Sequence, residues 1–561
     1  SVALNKGVLE NLGSFVIAQP LSLSESTPIN ASSWTLEITG SGSVMDSGDP
    51  PSSILNEGGV ILKTDDGDTS LSTKIDFYGG SIETKSGNLE LTGEVNFVTD
   101  SKISVSEGAN LQFTDNQITA KGLRLTGKGD VSLNSEMFRV SGPVLNSGRM
   151  YWKKGRFVTG DDLFSNTGLF AITNPSNTHE LSGNLYNDGF VRLDEEVDLK
   201  LTLPMSLIEN RAAGTLYLTG LITGTNWILD NQGLLQLNGK ADSWELLTGQ
   251  LKNTGTVQAL ETSRSTLRRV QQAVFSSGAT GHSLLDGKWI AEDNSVMTLT
   301  DVFDAESKFG FIAEPVVVTI HGSGKINNLP PSSDQADVDF FSIAGELNLL
   351  DGANWSGSNL ELATASTVPP GSKHYGGSIL VDSNSSMEVT NLGLDSNGAP
   401  IPGFVVMREA VATVDGKLKV HTNASFGDLN PEISLRNGGM IQGNGTLTLT
   451  IRNDGGITRP GTCVIEKSNR CGLAGSIKIE GNVKNYGKIC PGRSPGTITI
   501  QGDYQQSADG LLEVEIEEME EGFIYDQLVV SGTASLGGTL FVRFSGNPET
   551  SPMVYTPILA A

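Results

Sequence analysis

A seven-residue pattern, apolar-x-Asn-x-Gly-x-apolar, occurs ten times along this chain. Composition alone predicts roughly one chance match, so the pattern is a true repeat. From Asn146 to Asn253 the asparagines follow one another at intervals of 20, 21, 23, 21 and 22 residues, with an interrupted copy at Asn210 keeping the period. The ten copies are centred on Asn11, Asn56, Asn146, Asn166, Asn187, Asn231, Asn253, Asn437, Asn453 and Asn485. A period of about 21 residues indicates that one structural unit is repeated.

The segments between the copies are short alternating strands such as LYLTGLI, LLQLNG and GTLTLTI, separated by Gly, Asn and Ser. A leucine-rich repeat has a similar period, but these segments lack its L-x-x-L-x-L run and its helix-forming part. Antiparallel hairpins would not keep so constant a period. The sequence therefore predicts an all-β fold, a right-handed parallel β-helix (β-solenoid) with about 21 residues per rung.

The Asn and the Gly of the pattern have separate physical roles. Each Asn lies at a bend, where it tolerates a left-handed conformation and can bond its amide to the rungs above and below. The Gly two residues later supplies a positive φ or permits a close backbone approach. We expect the asparagines to stack at one corner as a structural ladder, comprising Asn146, Asn166, Asn187, Asn231, Asn253, Asn437, Asn453 and Asn485.

Charge and hydropathy exclude several classes of protein. The formal net charge of -26 argues against binding to nucleic acid or to an anionic membrane surface. No apolar run approaches the ~20 residues that span a bilayer, so we expect no membrane span. The chain begins at Ser1 without a charged or apolar leader, and we expect any secretion signal to have been removed or not included.

The regularity of the repeat divides the chain into five regions. Residues 1–140 keep the strand texture with looser spacing and are predicted to form irregular rungs, whereas 141–257 form the regular Asn-ladder solenoid. Residues 258–434 lack the pattern and carry insertions on the solenoid, among them a basic, helix-compatible stretch at 263–275. Residues 435–490 are regular again, and 491–561 are predicted to form a C-terminal cap.

The end of the chain resembles a known family. PGRSPGTITIQGDYQQ at 491–506, LLEVEIEE, and DQLVVSGTASLGGTLFVRF at 526–544 are similar to the C-terminal stretch of pertactin-like autotransporter passengers. That stretch is the passenger-associated transport repeat with its autochaperone segment. The resemblance implies a secreted β-helix whose last rungs cap the solenoid and seed its folding. An autotransporter would continue into a membrane barrel, which this sequence does not include.

No constellation of catalytic residues stands out. The histidines are scattered, without H-E-x-x-H or G-x-S-x-G, and include His179, His282, His321, His374 and His421. Asp65, Asp66 and Asp68 in KTDDGDTS form a weak calcium candidate, with Asp161 and Asp162 a similar pair. A solvated turn is the alternative in both cases. The Glu517, Glu518, Glu520 and Glu521 run is expected to be an exposed loop, and no cofactor is expected.

Cysteines and sequons bear on the compartment. Cys463 and Cys471 bracket a short polar loop that a disulfide could close, which leaves Cys490 unpaired or paired with another chain. Three free thiols are the alternative. Sequons at Asn30, Asn354, Asn384, Asn423 and Asn444 are glycosylation candidates if the source glycosylates.

These features favour a protein that is not an enzyme. The prediction is an extracellular or cell-surface β-solenoid rod that acts as an adhesin or as a structural fibre or sheath component. Its partners would be a host or neighbouring cell surface, glycans, or further copies of itself. The alternative is a polysaccharide lyase or hydrolase on the same scaffold. Trp152, Trp289, Trp355 and Tyr375 could stack on carbohydrate, although most are expected to be core or edge fillers.

Overall fold

The structure is a computed structural model in which every regular element is a β-strand; the described residues contain no helix. It describes residues 2–560 except 6–7, 12, 25, 32, 41, 47–50, 161–163, 240–249, 271–281, 285, 302–308, 313–315, 328–340, 344, 359, 363–377, 383, 392–403, 407–410, 415–416, 421–431, 436–439, 444–445, 449, 454–472, 476, 492–495, 520–521 and 546–557. The residues in these ranges form no helix that could cross a bilayer.

The chain divides into two compact units, residues 1–271 and 272–561. The strands of unit 1 are β1 (Val2–Asn5), β2 (Val8–Asn11), β3 (Ser14–Ile17), β4 (Leu21–Ser24), β5 (Thr27–Asn30), β6 (Thr35–Ile38), β7 (Val44–Asp46), β8 (Ser53–Asn56), β9 (Val60–Lys63), β10 (Asp68–Leu71), β11 (Lys74–Phe77), β12 (Ser81–Thr84), β13 (Asn88–Leu91), β14 (Val95–Phe97), β15 (Ser101–Val105), β16 (Asn110–Thr114), β17 (Gln117–Ala120), β18 (Leu123–Gly127), β19 (Asp130–Asn134), β20 (Met137–Val140), β21 (Val144–Asn146), β22 (Arg149–Trp152), β23 (Gly155–Val158), β24 (Phe164–Asn166), β25 (Leu169–Ile172), β26 (His179–Ser182), β27 (Leu185–Asn187), β28 (Phe190–Leu193), β29 (Asp198–Leu201), β30 (Leu207–Asn210), β31 (Thr215–Leu218), β32 (Leu221–Gly224), β33 (Ile228–Asn231), β34 (Leu234–Leu237), β35 (Gln250–Asn253), β36 (Thr256–Ala259) and β37 (Arg264–Val270).

The strands of unit 2 are β38 (His282–Leu284), β39 (Lys288–Ala291), β40 (Val296–Asp301), β41 (Phe309–Ile312), β42 (Val317–His321), β43 (Lys325–Asn327), β44 (Phe341–Ile343), β45 (Glu346–Leu350), β46 (Asn354–Ser358), β47 (Leu360–Leu362), β48 (Ser378–Val381), β49 (Ser386–Asn391), β50 (Phe404–Val406), β51 (Val411–Val414), β52 (Lys417–Val420), β53 (Glu432–Leu435), β54 (Met440–Gly443), β55 (Thr446–Thr448), β56 (Thr450–Asn453), β57 (Leu473–Gly475), β58 (Lys478–Ile479), β59 (Val483–Asn485), β60 (Lys488–Pro491), β61 (Thr497–Ile500), β62 (Tyr504–Gln506), β63 (Leu511–Met519), β64 (Gly522–Tyr525), β65 (Gln527–Val530), β66 (Ala534–Ser535), β67 (Thr539–Ser545) and β68 (Ile558–Ala560).

Strand pairing shows a parallel β-solenoid with roughly 22 residues per turn, as the sequence predicts. From β1 to β31 each strand pairs in parallel with the strand three places later, as in β13 with β16 and β16 with β19. Three strands therefore make one turn, and unit 1 has three sheets: the first contains β1 and every third strand, the second contains β2, and the third contains β3. Unit 2 repeats the arrangement, for example from β45 through β48 to β51.

The core is a set of inward columns, because in-register parallel pairing places equivalent residues directly above one another. In the first sheet one such column runs Leu89, Leu111, Val131, Met150 and Phe170, all at most 2% exposed. Most strands alternate buried residues with more exposed ones. This period of two is expected of a strand with one face on the core and the other on solvent. Burying each large apolar side chain stabilises the fold by about 1.5–3 kcal/mol.

The asparagines form ladders, but at more than one corner. In the third sheet Asn146, Asn166, Asn187, Asn210, Asn231 and Asn253 stack one per turn, each Nδ2 donating to the next Oδ1 at 2.7–2.8 Å. Near the start of the chain Asn11, Asn30 and Asn56 form a second ladder, which lies in the second sheet. The expectation of a single corner is therefore wrong, because the pattern marks a bend and the bend that uses it changes along the chain.

In the unit 2 part of the pattern, Asn485 is buried and its Nδ2 lies 3.4 Å from Gln506 Oε1 on the next turn. Asn453 pairs in register with Asn485, although its side chain is not among those described. Asn437 lies outside the described residues. A glutamine thus continues the column where the sequence pattern no longer indicates a ladder.

Close backbone approach explains the glycines of the third-sheet ladder. A Cβ at residue 189 would lie 2.4 Å from the carbonyl oxygen of Gly168, and one at residue 168 would lie 2.2 Å from that of Gly148. At these positions φ is not in the left-handed region. Of the two predicted roles, close approach is the one that applies here.

Two local expectations differ from the structure. Arg264–Val270 is a strand, so the first part of the stretch predicted as helix-compatible continues the third sheet through its pairing with β35. Glu517 and Glu518 lie in β63, which forms an antiparallel hairpin with β64, and are half-buried rather than in an exposed loop. Glu520 and Glu521 lie outside the described residues.

The described part of residues 491–561 continues the stack. β63 pairs in parallel with β67, so Leu540, Val542 and Phe544 extend the buried column of β63, but they remain 38–47% exposed. Asp526 ties this region together, because its carboxylate accepts amide hydrogen bonds from Gly496 at 2.8 Å and Glu515 at 2.9 Å. Burial raises the pKa of Asp526 despite these two donors. The capping role stays a prediction.

Candidate functional site

The three predicted calcium ligands lie at one bend of unit 1 but bind protein groups. Asp65 and Asp66 are in the turn after β9, and Asp68 begins β10. The Lys63 ammonium donates to the Asp65 carboxylate and, at 2.5 Å, to the Asp65 carbonyl oxygen. Asp68 accepts a 2.6 Å hydrogen bond from Asn88. Within the described ranges no three His, Cys, Asp or Glu side chains come close enough to hold a metal ion, so the geometry gives the calcium prediction no support.

Lys63 supplies the cation at this bend. It is the last residue of β9, where the alternation of the strand places its side chain inside, and it is fully buried. Burial lowers the pKa of Lys63, and the charges of Asp66 and Asp68 oppose that shift. The arrangement neutralises a buried ammonium, which is a structural role. Asp161 and Asp162 lie outside the described residues.

The two histidines whose side chains the structure describes, His179 and His321, lie in different surroundings. His179 is 1% exposed and lies edge-on to Trp152, with ring centroids 5.3 Å apart. Burial lowers the pKa of His179, while backbone carbonyls around it oppose the shift. His321 Nδ1 lies 2.7 Å from Asp351 Oδ2 on the next turn of unit 2. The side chain of His282, and His374 and His421 entirely, fall outside what the structure describes.

Two of the four aromatic residues considered for sugar stacking are core residues. Trp152 is 2% exposed and Trp289 is 1% exposed, so neither can contact carbohydrate in the folded protein. Trp152 belongs to an aromatic cluster with Phe157 and Phe170, at ring distances of 5.4 and 6.3 Å. The side chain of Trp355 and the whole of Tyr375 lie outside the described residues.

The structure describes one of the three cysteines. Cys490, which was predicted to be unpaired or paired with another chain, is disulfide-bonded. The disulfide between Cys463 and Cys471 stays a prediction. Those two residues lie outside the described part of the chain.

One predicted glycosylation candidate is a core residue. Asn30 is 2% exposed and donates a 2.6 Å hydrogen bond to Asn56 in the second-sheet ladder, so it cannot carry a glycan in the folded protein. Asn384 is exposed in a turn and stays a candidate. Asn423 and Asn444, and the side chain of Asn354, are outside the described residues.

A strip of aromatic and arginine side chains follows the outer face of the first sheet in unit 1. This aromatic strip comprises Arg149, Tyr151, Phe190, Arg192 and Tyr217, which project from β22, β28 and β31. The rings of Phe190 and Tyr217 stack across neighbouring turns, with centroids 6.3 Å apart and planes 27° apart. The guanidinium of Arg149 lies 5.9 Å from the Tyr151 ring centre.

Hydrogen bonds and ion pairs fix the polar ends of the aromatic strip. The Tyr217 hydroxyl accepts a 2.6 Å hydrogen bond from Asn238, and Arg149 donates to the Tyr151 hydroxyl at 2.7 Å. That hydrogen bond is the main reason the pKa of Arg149 lies above its ordinary value. Arg192 pairs with Asp194 at 2.6 Å. The strip therefore presents pre-ordered rings beside planar donors, which suits the apolar face and hydroxyls of a sugar or a protein side chain.

The aromatic strip is not evident from the sequence because it depends on which residues of each strand point outward. In RMYW the tryptophan is the larger aromatic residue, but Trp152 points inward and its neighbour Tyr151 therefore points outward. The alternation of inward and outward residues along each strand is the signal that distinguishes the two rings. Using it requires the bounds of every strand, and the repeat pattern indicates these bounds only near its Asn.

No protein-family model matches the chain, and no curated protein matches it in sequence. The resemblance of the C-terminal stretch to pertactin-like passengers is consistent with the observed fold, a parallel β-solenoid. The fold alone does not specify what the outer faces bind.

Proposed function

We propose that the protein is an extracellular or cell-surface β-solenoid that acts without catalysis, as an adhesin or as a component of a fibre or sheath. The solenoid fold and the pertactin-like pattern at 491–544 support this proposal. Its partners would be glycans or proteins of a host or neighbouring cell, or further copies of the chain. The protein would thus work as a scaffold that displays binding surfaces along its sheets.

The observation that carries the proposal is the aromatic strip on the first sheet. A solenoid needs apolar residues inside, and outward positions are normally polar, so half-exposed rings stacked across turns are better explained by binding than by stability. Phe190 is 36% exposed and has its ring aligned with Tyr217. Rings ordered before binding lose little conformational entropy on contact.

The alternative, a polysaccharide lyase or hydrolase, is favoured by one contact. The His321–Asp351 pair on unit 2 joins a possible base to a carboxylate at 2.7 Å. Glycoside hydrolysis, however, requires two carboxyl groups on either side of the scissile bond, and a lyase requires a base beside charge-stabilising cations. Asp65 provides neither arrangement, since the Lys63 ammonium occupies its carboxylate.

Binding of the purified chain to immobilised glycans and to whole cells tests the proposal. Replacing Tyr151, Phe190 and Tyr217 by serine should lower the bound fraction at least ten-fold with little change in the melting temperature. Tyr78→Ser, which removes a 50% exposed ring outside the strip, should bind like the parent chain. Equal binding by the triple variant and the parent would contradict the role of the strip.

Turnover assays separate the two hypotheses. Acidic and neutral polysaccharides incubated with the chain should yield no new reducing or unsaturated ends. Release of such ends that His321→Gln abolishes would replace the proposal with the enzymatic alternative.

A further inference from the structure

A groove on the outer face of the third sheet of unit 1 combines residues from four consecutive turns. The groove is open to solvent and has a volume of about 650 Å³, and its lining includes Asp100, Lys102, Arg124, Pro143 and Leu145. Lys102, Arg124 and Leu145 are register partners on β15, β18 and β21. They face outward because the alternate residues of those strands are buried.

The two cationic side chains of this groove have no partner among the described residues. Neither the Lys102 ammonium nor the Arg124 guanidinium makes a hydrogen bond or an ion pair with them, and both residues are exposed. Many other outward cations of unit 1 lie within 4 Å of a carboxylate. These are Lys74, Lys128, Arg149, Lys154, Arg156, Arg192, Lys200, Arg211 and Lys252.

Stacking two unpaired cations is unfavourable unless an anion joins them. Parallel neighbours lie about 4.8 Å apart at the backbone, so the two positive groups repel each other. An anionic group placed between them would accept hydrogen bonds from the ammonium and from the planar guanidinium. On a chain with a net charge of -26, such a place is a local exception to the acidic surface.

The remaining lining restricts the chemistry of the ligand. Asp100 is exposed at the edge of the groove, and a Cβ at residue 122 would lie 2.2 Å from its Oδ1, so Gly122 preserves the space for this carboxylate. A carboxylate beside the cations disfavours a densely charged polyanion but accepts hydrogen bonds from neutral hydroxyls. Pro143 and Leu145 offer an apolar floor for C–H groups. Hydroxyls, an apolar face and a separate acidic group occur together in an acidic saccharide.

We propose that this groove binds an acidic saccharide, with the anionic group between Lys102 and Arg124 and a ring hydroxyl on Asp100. The groove lies on a different sheet from the aromatic strip, and its ligand does not depend on whether the protein is an adhesin. The anionic group is a uronate carboxylate or a sulfate ester, which the two cations would bind in the same way.

Titration calorimetry of the full chain with three tetrasaccharides tests the inference: an oligouronate, a sulfated saccharide and a neutral one. At least one acidic ligand should bind ten-fold or more tightly than the neutral ligand, and added salt should weaken that binding. Binding of the oligouronate alone identifies a carboxylate site, and binding of the sulfated ligand alone identifies a sulfate site. Equal or absent binding of all three would overturn the proposal.

Substitutions test whether the acidic saccharide binds at Lys102 and Arg124. Lys102→Ser with Arg124→Ser should weaken acidic-saccharide binding at least ten-fold. Lys128→Ser with Lys200→Ser removes the same charge from exposed, carboxylate-paired lysines and should change affinity less than two-fold. Equal losses in the two double variants would mean nonspecific attraction and contradict the site.

A second substitution tests the groove without removing its cations. Leu145→Glu places a carboxylate next to Arg124, where it should displace the anionic ligand and weaken binding at least ten-fold. The aromatic-strip triple variant should bind the acidic saccharide normally. Unchanged binding by Leu145→Glu would show that the ligand contacts another part of the protein.

Discussion

One inward column of the third sheet has two chemistries along its length. Over the earlier turns it is apolar, comprising Leu36, Ile61, Ile82, Ile103 and Leu125, and over the later turns it is the ladder from Asn146 to Asn253. Both halves are buried. Strands β9, β12, β15 and β18 continue two residues beyond the apolar column, whereas each strand of the ladder ends at its Asn.

This difference shows what the asparagine does. Where a strand of the ladder ends at its Asn, the amide two residues later bonds in one of two ways. It donates to the Asn backbone carbonyl of the previous turn, as from Gly168, Gly233 and Gly255, or to the Asn side chain, as from Gly189. Asn187 Oδ1 accepts from that amide, Gly189 N, at 3.1 Å, and Asn187 Nδ2 donates to the Thr215 carbonyl at 3.0 Å. Where the strand continues, the backbone pairs with its neighbours and an apolar side chain suffices.

The largest effect should come from breaking the ladder in its middle. Asn187→Leu removes the partners of Gly189 N and Asn210 Oδ1, and it weakens the bonding of Asn166 Nδ2. We expect unfolding to become easier by about 3 kcal/mol, because buried polar groups lose their hydrogen bonds. Denaturant unfolding measures the change. Asn88→Leu, at an exposed strand position, is the control and should change stability by less than about 0.5 kcal/mol.

The glycine of the corner should have the next largest effect. Gly189→Ala places a Cβ 2.4 Å from the Gly168 carbonyl oxygen, so the turns must separate, at a cost of about 2 kcal/mol. Gly13 occupies the same pattern position after Asn11, but its Cβ would meet only the Trp34 ring at 3.6 Å. Gly13→Ala should therefore be nearly neutral in the same unfolding measurement. Equal losses at the two sites would refute close approach as the reason for the glycine.

Extending the ladder by one turn sharpens the comparison. Leu125 pairs in register with Asn146, and an asparagine at 125 could donate to Asn146 Oδ1. Ile103 lies one turn further away, between apolar neighbours. Both substitutions bury an amide, but Leu125→Asn should cost about 1 kcal/mol less than Ile103→Asn in equilibrium unfolding. The reverse order would mean that the ladder does not accept new members.

The smallest effect should come from His179, a buried side chain that can gain a proton, whereas the buried Asn amides of the ladder cannot. Burial lowers the pKa of His179 below its ordinary 6.5, so between that lowered pKa and 6.5 the unfolded chain binds more protons than the folded chain. Stability should therefore rise with pH across this window, by at most about 1.4 kcal/mol per pH unit. His179→Phe should remove this dependence, and His321→Gln should retain it. A parent chain with no slope there would contradict the burial of His179.

The sequence by itself determined the architecture of this protein. The period of the Asn pattern predicts stacked parallel rungs, and the ladder spacings of 20–23 residues confirm it for Asn146 to Asn253. Alternating strands between the copies give the inward columns. These features repeat at each turn and depend on residues that are close together in the sequence, so each copy of the pattern predicts its own bend.

Tertiary structure decided which residues of neighbouring turns meet, both inside the solenoid and on its outer faces. Asn30 lacks the glycine of the pattern, yet it joins a ladder because the register places it between Asn11 and Asn56. Lys102 and Arg124 are 22 residues apart in the sequence and become neighbours only through the pairing of β15 with β18. Their proximity depends on the length of the intervening turn, and a shift of one residue would move each side chain to the opposite face of the sheet.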